Sequence, residues 1–268
     1  MTALVRLSRR LLCAAAVGLL ALPLIPVPTE AQQSTEAQQS APEDASPFSA
    51  EEQDAIDRQV RDYILENPEI IMQAVQILRE RQEQQAQDAR RQGVRQHAEA
   101  LRESGPLPVL GNPDGDVTIV EFFDYRCPYC RQVANLALET AKADGNVRVV
   151  YKEYPILGPD SEFASRAAIA ASMQGRYAEF HKALMNDVQT VNQDSVMRLA
   201  EMMDLDVAQL KADMRSDRVT QTIQQTRQLG QQLQINGTPA FIVGTEVAPG
   251  AISRDQLEQM IAQARQEG

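Results

Sequence analysis

The stretch from Asp116 to Lys142 constrains this chain more than any other part of it. Asp116 to Phe123 is a run of β-branched and aromatic residues interrupted by Glu121, the pattern of a buried strand. From Arg131 to Lys142 the spacing becomes helical, and the junction is occupied by Cys127-Pro128-Tyr129-Cys130. Val147 to Tyr154 reads as a second strand, and residues 161–232 show helical spacing almost throughout. Ala240 to Val243 is a short apolar strand directly after Gly237-Thr238-Pro239, and Thr245 to Gly250 suits a turn and another strand. Ser253, Arg254 and Asp255 open a closing amphipathic helix that uses Leu257, Met260 and Ile261. Strand, helix, strand, helical block, strand, strand, helix is an α/β layout with a helical insertion. The expected domain covers 105–268, with the insertion at about 160–232.

The residues before it read differently. Arg6, Arg9 and Arg10 precede an apolar run from Leu11 to Leu22, too short for a comfortable membrane span, and Pro23, Pro26 and Pro28 follow. This is the pattern of a signal peptide over residues 1–31 with cleavage near Ala31; an uncleaved N-terminal anchor is the other reading. Residues 32–47, rich in Gln, Ser, Ala, Pro and Glu, form a flexible leader. Residues 48–104 read as helical, with a start at Ser49 and a restart at Asn67-Pro68-Glu69, where Asn67 is the expected N-cap and Pro68 the first helical residue. Ile56, Val60 and Ile64, then Ile71, Val75 and Leu78, make apolar stripes too short to be a core alone. From Arg79 to Glu103 the helix is almost wholly polar. The expectation is an oligomerising segment followed by a stalk, with packing of the stripe on the main domain as the alternative. The formal net charge is −11, or about −13 after residue 31, and no basic stripe offers a surface to nucleic acid.

Of three cysteines, Cys13 lies inside the export signal, so Cys127 and Cys130 are the thiols of the mature chain. An exported chain meets an oxidising compartment, but a disulfide across two intervening residues restricts the unfolded chain little. Chemistry is therefore a better use for the pair than stapling. Structural zinc wants about four ligands, and no second pair is present. His97 and His181 fall far away on expected helices, His97 as a solvated stalk residue and His181 as a packing or surface residue, so no metal site is expected. Capture of Cu(I) by the two soft thiolates is a further reading, although the nine methionines fall at core-like helical spacing rather than in one loop. The strand-to-helix position favours redox chemistry, because amides at a helix start stabilise a thiolate. Cys127 is then the exposed nucleophile and Cys130, one turn in, the less accessible resolving thiol. Pro128 and Tyr129 alter the amides and dipoles beside Cys127 and so tune how far the reduced form is favoured.

Glu121 to Cys130, together with Gly237-Thr238-Pro239-Ala240-Phe241, resembles the active-site segment and facing loop of the DsbA family of periplasmic thioredoxin-fold proteins. The resemblance covers roughly residues 106–266. It implies a thioredoxin fold, a cis Thr238–Pro239 bond, and a client chain held at Thr238 and Pro239 beside Pro128 and Tyr129. It also implies that Glu121 is a buried carboxylate beneath the pair that assists proton transfer from the resolving thiol; the plainer reading of Glu121 is a polar residue at a strand edge. Phe48 to Leu78, containing Tyr63 to Glu69, resembles the N-terminal segment of the ScsC (suppressor of copper sensitivity) branch, which implies a trimer and disulfide isomerase activity. The expected function is periplasmic thiol–disulfide exchange as an isomerase or reductase, with no cofactor. Its expected partners are exported proteins with cysteines and a membrane redox partner of the DsbD, ScsB or DsbB kind. A net dithiol oxidase, or a copper- or client-binding module, is the alternative.

Overall fold

The computed structural model describes residues 47–267. The expected export signal and the leader up to residue 46 lie outside the described residues. Among the described residues, no helix is long and apolar enough to cross a membrane.

Helix α1 (Ala50–Glu66) opens on a capping box. Ser49 and Glu52 exchange side-chain-to-backbone hydrogen bonds, with Ser49 N donating to Glu52 Oε2 at 2.8 Å and Glu52 N to Ser49 Oγ at 3.4 Å. None of its residues is buried, and Ile56, Val60 and Leu65 face solvent.

Helix α2 (Glu69–Gln96) begins one residue later than expected: Pro68 itself is the cap, already helical at φ −63° and ψ −20°. Ile71, Met72, Val75, Ile77 and Leu78 are exposed, as on α1, whereas Val94 near its end is buried. Leu101, on α3 (Ala98–Arg102), is buried beside it in the second core described below. The stretch read as polar stalk thus ends inside the second core, because one well-placed apolar residue on each of α2 and α3 suffices to seat helices whose other faces are wet. His97, between the two helices, is half-buried.

The sheet has strand order β1-β3-β2-β4-β5. Its central strand β2 (Val117–Phe123) is parallel to β3 (Val147–Glu153) and antiparallel to β4 (Ala240–Val243), which pairs antiparallel with β5 (Glu246–Pro249). All seven residues of β2 are buried, as a strand covered on both faces must be. Glu121 is therefore mid-sheet and not at an edge. Strand β1 (Leu110–Gly111), unread in the sequence, adds antiparallel to β3. Gly111 is required there: at φ +70°, an added Cβ would lie 2.5 Å from the Val147 carbonyl oxygen.

Alternation along the strands divides two cores. Ile119, Phe123, Val149, Tyr151 and Phe241 face one, shared with the thiol pair, the insertion and the closing helix α11 (Arg254–Glu267). Val120, Phe122, Val150, Tyr154 and Ile242 face the other, closed by Val94, Leu101, Leu229 and Leu233. Two cations of β3 hold α3 in place: Lys152 Nζ donates to the Ala100 and Glu103 carbonyls at 2.9 and 2.5 Å, and Arg148 donates to the Arg102 carbonyl at 3.1 Å. These are carbonyls that a helix end leaves unpaired.

The insertion is α6 (Pro159–Met173), α7 (Tyr177–Asn186), α8 (Gln193–Met202), α9 (Val207–Asp213) and α10 (Asp217–Gln232). On α6, Ala164, Ala167, Ala168 and Ala171 are buried, and such small side chains let neighbouring helices approach closely.

Candidate active site

Asp124, Tyr125 and Arg126 join β2 to the thiol pair, and Asp124 organises this loop. Its Oδ1 accepts the Arg126 amide at 2.8 Å, and its Oδ2 accepts the amides of Ile156 and Leu157 at 2.8 and 3.0 Å. One buried carboxylate thus ties the loop after β2 to the loop after β3. Arg126 adds a bond from its guanidinium to the Leu157 carbonyl at 3.0 Å.

The expected single helix from Arg131 to Lys142 is two: α4 (Pro128–Gln132) and α5 (Leu136–Asp144). Between them, Val133 N donates to Cys130 O and Leu136 N to Val133 O, a tightening to three-residue turns that brings Cys130 and Ala134 both inward. Cys127 is the N-cap of α4, with extended backbone at φ −75° and ψ 117°. Its Sγ accepts the Cys130 amide at 3.4 Å, and Pro128 occupies the first helical turn, where no backbone donor is missed. Because α4 is only five residues long, this one amide matters more to the sulfur than any helix-wide dipole.

Facing the pair, the Thr238–Pro239 bond is cis, and the Cys127 thiol donates to the Thr238 carbonyl at 3.1 Å. That carbonyl covers the sulfur: Cys127 is only 3 % exposed, against 0 % for Cys130. The expectation of an exposed Cys127 is corrected accordingly; its neighbours Arg126, Pro128 and Tyr129 are the exposed residues of the site. Burial pushes the Cys130 thiol far up, and negative charge on Cys127 adds to the rise. Both residues are thiols here, with no bridge between them.

Glu121 projects from β2 to the same face of the sheet as the thiols, flanked across the strands by Tyr151 and Phe241. It is buried, its Oε2 has no hydrogen-bond partner, and burial raises its carboxyl well above the usual range. Asp124 and Tyr125 escaped the sequence reading, although both lie within the quoted segment. His181 is a buried packing residue rather than a surface one, and His97 lies half-buried in a cleft it shares with Ala100, Glu103 and Lys152. Among the described residues, no three His, Cys, Asp or Glu side chains gather where a metal ion could be held.

A model of the DSBA-like thioredoxin domain matches residues 118–262. The chain belongs to that family. A second model, of the copper resistance protein ScsC N-terminal domain, matches residues 52–85, so both resemblances read in the sequence are borne out. Among solved structures, a thioredoxin-like oxidoreductase from Silicibacter pomeroyi DSS-3 is 47 % identical with a TM-score of 0.61, covering 62 % of this chain and 96 % of that one. A linker-deletion mutant of Proteus mirabilis ScsC is 25 % identical with a TM-score of 0.62, covering 84 % of this chain and all of that one (100 %). Among curated proteins, the Na(+)/H(+) antiporter NhaA 3 of Salinispora tropica is 28 % identical over 158 residues, 58 % of this chain and 24 % of that protein. The chain spans about a quarter of the length of such relatives (24 %). The DsbA and ScsC likenesses are to thiol–disulfide oxidoreductases, and the fold is the thioredoxin-like fold of that family with an ScsC-like helical segment before it.

Proposed function

We propose that this protein carries out thiol–disulfide exchange on exported proteins in the periplasm, in the isomerase or reductase direction. The observation that carries the reading is the asymmetry of the pair: Cys127 Sγ sits at a helix cap against the Thr238 carbonyl, while Cys130 is sealed and held as a thiol. The Cys127 thiolate attacks a client disulfide; one client sulfur leaves as thiolate and a mixed disulfide forms. Cys130 then attacks Cys127 Sγ, releasing the second client sulfur and leaving Cys127–Cys130 oxidised while the client has gained two electrons. Glu121 is the acceptor for the Cys130 proton in that step. When Cys127 ionises it no longer donates to the Thr238 carbonyl, which becomes available to a client amide beside Pro239, with Pro128 and Tyr129 on the rim.

The direction of flow rests on the N-terminal segment. Exposed apolar residues on α1 and on the first half of α2 support self-association through residues 48–78, most simply as a trimer, which would set several thiol pairs around one misfolded client. A membrane reductant would then keep the pair reduced. Residues 1–31 act as the export signal, 48–104 as the oligomerising segment and 105–268 as the catalytic domain. Acid-trapping the thiols of Cys127 and Cys130 in growing cells tests the direction. A mainly reduced pair is expected, and a mainly oxidised one would replace this reading with a net dithiol oxidase.

A further inference from the structure

A second set of ionisable groups lies beneath the loop that carries Cys127. Glu153, the last residue of β3, is fully buried. Its Oε1 accepts the Tyr125 hydroxyl at 2.8 Å and the Tyr177 hydroxyl at 3.0 Å, while its Oε2 is buried without a hydrogen-bond partner. Tyr125 Oη also lies 3.1 Å from His181 Nδ1. The imidazole is packed on four sides, stacked on Tyr151 and Tyr177 with centroids 4.5 and 5.7 Å away and edge-on to Phe123 and Tyr125 at 4.8 and 5.6 Å.

The groups that face Glu153 come from every neighbouring element. Tyr125 and Asp124 follow β2, Tyr177 and His181 sit on α7, and Ser165 acts on it from α6. None of these is a cation, and among the described residues no ion pair includes Glu153. A buried carboxylate without a counter-charge is costly, and Asp124 adds a like charge. His181 cannot supply the missing charge, since burial drives its imidazole down to about 3. A proton on Oε2 removes the uncompensated charge and leaves both bonds to Oε1 intact. Oε1 then receives both phenol hydrogens, and a neutral His181 donates from Nδ1 to Tyr125 Oη.

We propose that Glu153 is a positioning residue for the thiol pair, protonated in the working state, and that Tyr125 transmits its ionisation to Cys127. The proposal deepens the thiol-exchange reading and rests on it. Tyr125 is the loop residue whose side chain hydrogen-bonds into this network, and Cys127 follows it by two positions. While Glu153 is neutral, the loop is held from within by Tyr125 and from without by Asp124. Once Glu153 is ionised, Tyr125 donates to a full carboxylate, and the negative charge thus tied to the loop opposes the thiolate two residues on. Burial pushes Glu153 up to about 8, so the change falls at mildly alkaline pH.

The test is the rate at which iodoacetamide alkylates Cys127 in the reduced full chain between pH 5 and 9.5, followed by mass spectrometry of the Cys127 peptide. Glu153→Gln keeps a neutral acceptor for both phenols. Its rate should match the wild type within about twofold at pH 6 and exceed it by threefold or more above pH 8. Parallel wild-type and Glu153→Gln profiles over the whole range would overturn the proposal. Tyr125→Phe keeps Glu153 but cuts the link, so its profile should lack the alkaline lag; a retained lag would equally overturn it. Exchange with a disulfide-bonded client, measured alongside, separates the two readings. A wild type that shows the alkaline lag but no client exchange would refute thiol exchange as the function, not the role of Glu153.

Discussion

Cys127 and Cys130 differ in what their surroundings permit. Cys127 has an amide pointing at its sulfur; Cys130 has burial that resists ionisation. Cys130→Ser should therefore accumulate a client disulfide on Cys127, visible on non-reducing gels, while Cys127→Ser should form none. Glu121→Gln should slow the resolving step by roughly a hundredfold, the scale of a lost proton-transfer group, with Cys127 alkylation unchanged. Equal single-turnover rates would remove Glu121 from the mechanism. Glu153 makes a separate prediction for stability. Its folded carboxyl is raised from 4.5 to about 8, so the fold binds the proton more tightly than the unfolded chain does. The stability it supplies is complete below about pH 4.5 and is lost as pH rises towards 8. Glu153→Gln should thus melt higher than wild type above pH 8, with the gap narrowing towards pH 5; a constant gap would show that Glu153 does not titrate in the fold. The Cys pair and Thr238-Pro239 were legible because short motifs carry them. Glu153 was not, because in an alternating strand it reads as an ordinary polar end, and nothing in one dimension places Tyr125 and His181 beside it.

At the level of elements, strand and helix positions followed from periodicity, and the joints between elements did not. Burial of all of β2 was predictable from its apolar run, whereas β1 is two residues long and exists only because Gly111 lets the chain pass β3. The break between α4 and α5 has no glycine or proline to announce it. Packing of α10 on β3 is similarly silent in sequence yet tight. A Cβ on Gly230 would lie 2.7 Å from the ring of Tyr154, whose hydroxyl donates to the Ile235 carbonyl at 3.0 Å. Gly230→Ala should therefore destabilise the domain despite its better helix propensity, by about 1–3 kcal/mol as overpacking does, read as a lower urea midpoint. A raised midpoint would mean that the ring moves aside without cost.

For the molecule as a whole, the informative boundary is not where composition changes. A cut at residue 104, suggested by the polar run from Arg79, would remove Val94 and Leu101 from the second core. A chain lacking residues 1–85 keeps that core and loses the exposed apolar residues of α1 and α2. By light scattering it should be a folded monomer where the longer chain is an oligomer, whereas a chain lacking residues 1–103 should be markedly less stable. Monomers at both lengths would end the self-association proposal. The anchoring of α2 at its far end also has a mechanical side. A helix of 28 residues is about 42 Å long at 1.5 Å per residue. With Val94 as fulcrum and Lys152 and Arg148 gripping α3 just beyond it, α2 is a lever: a tilt of about 10° at the root sweeps its tip through about 7 Å. Small repacking around Leu101 is thereby magnified at Glu69, and load applied near Glu69 is returned to the strand whose last residue is Glu153.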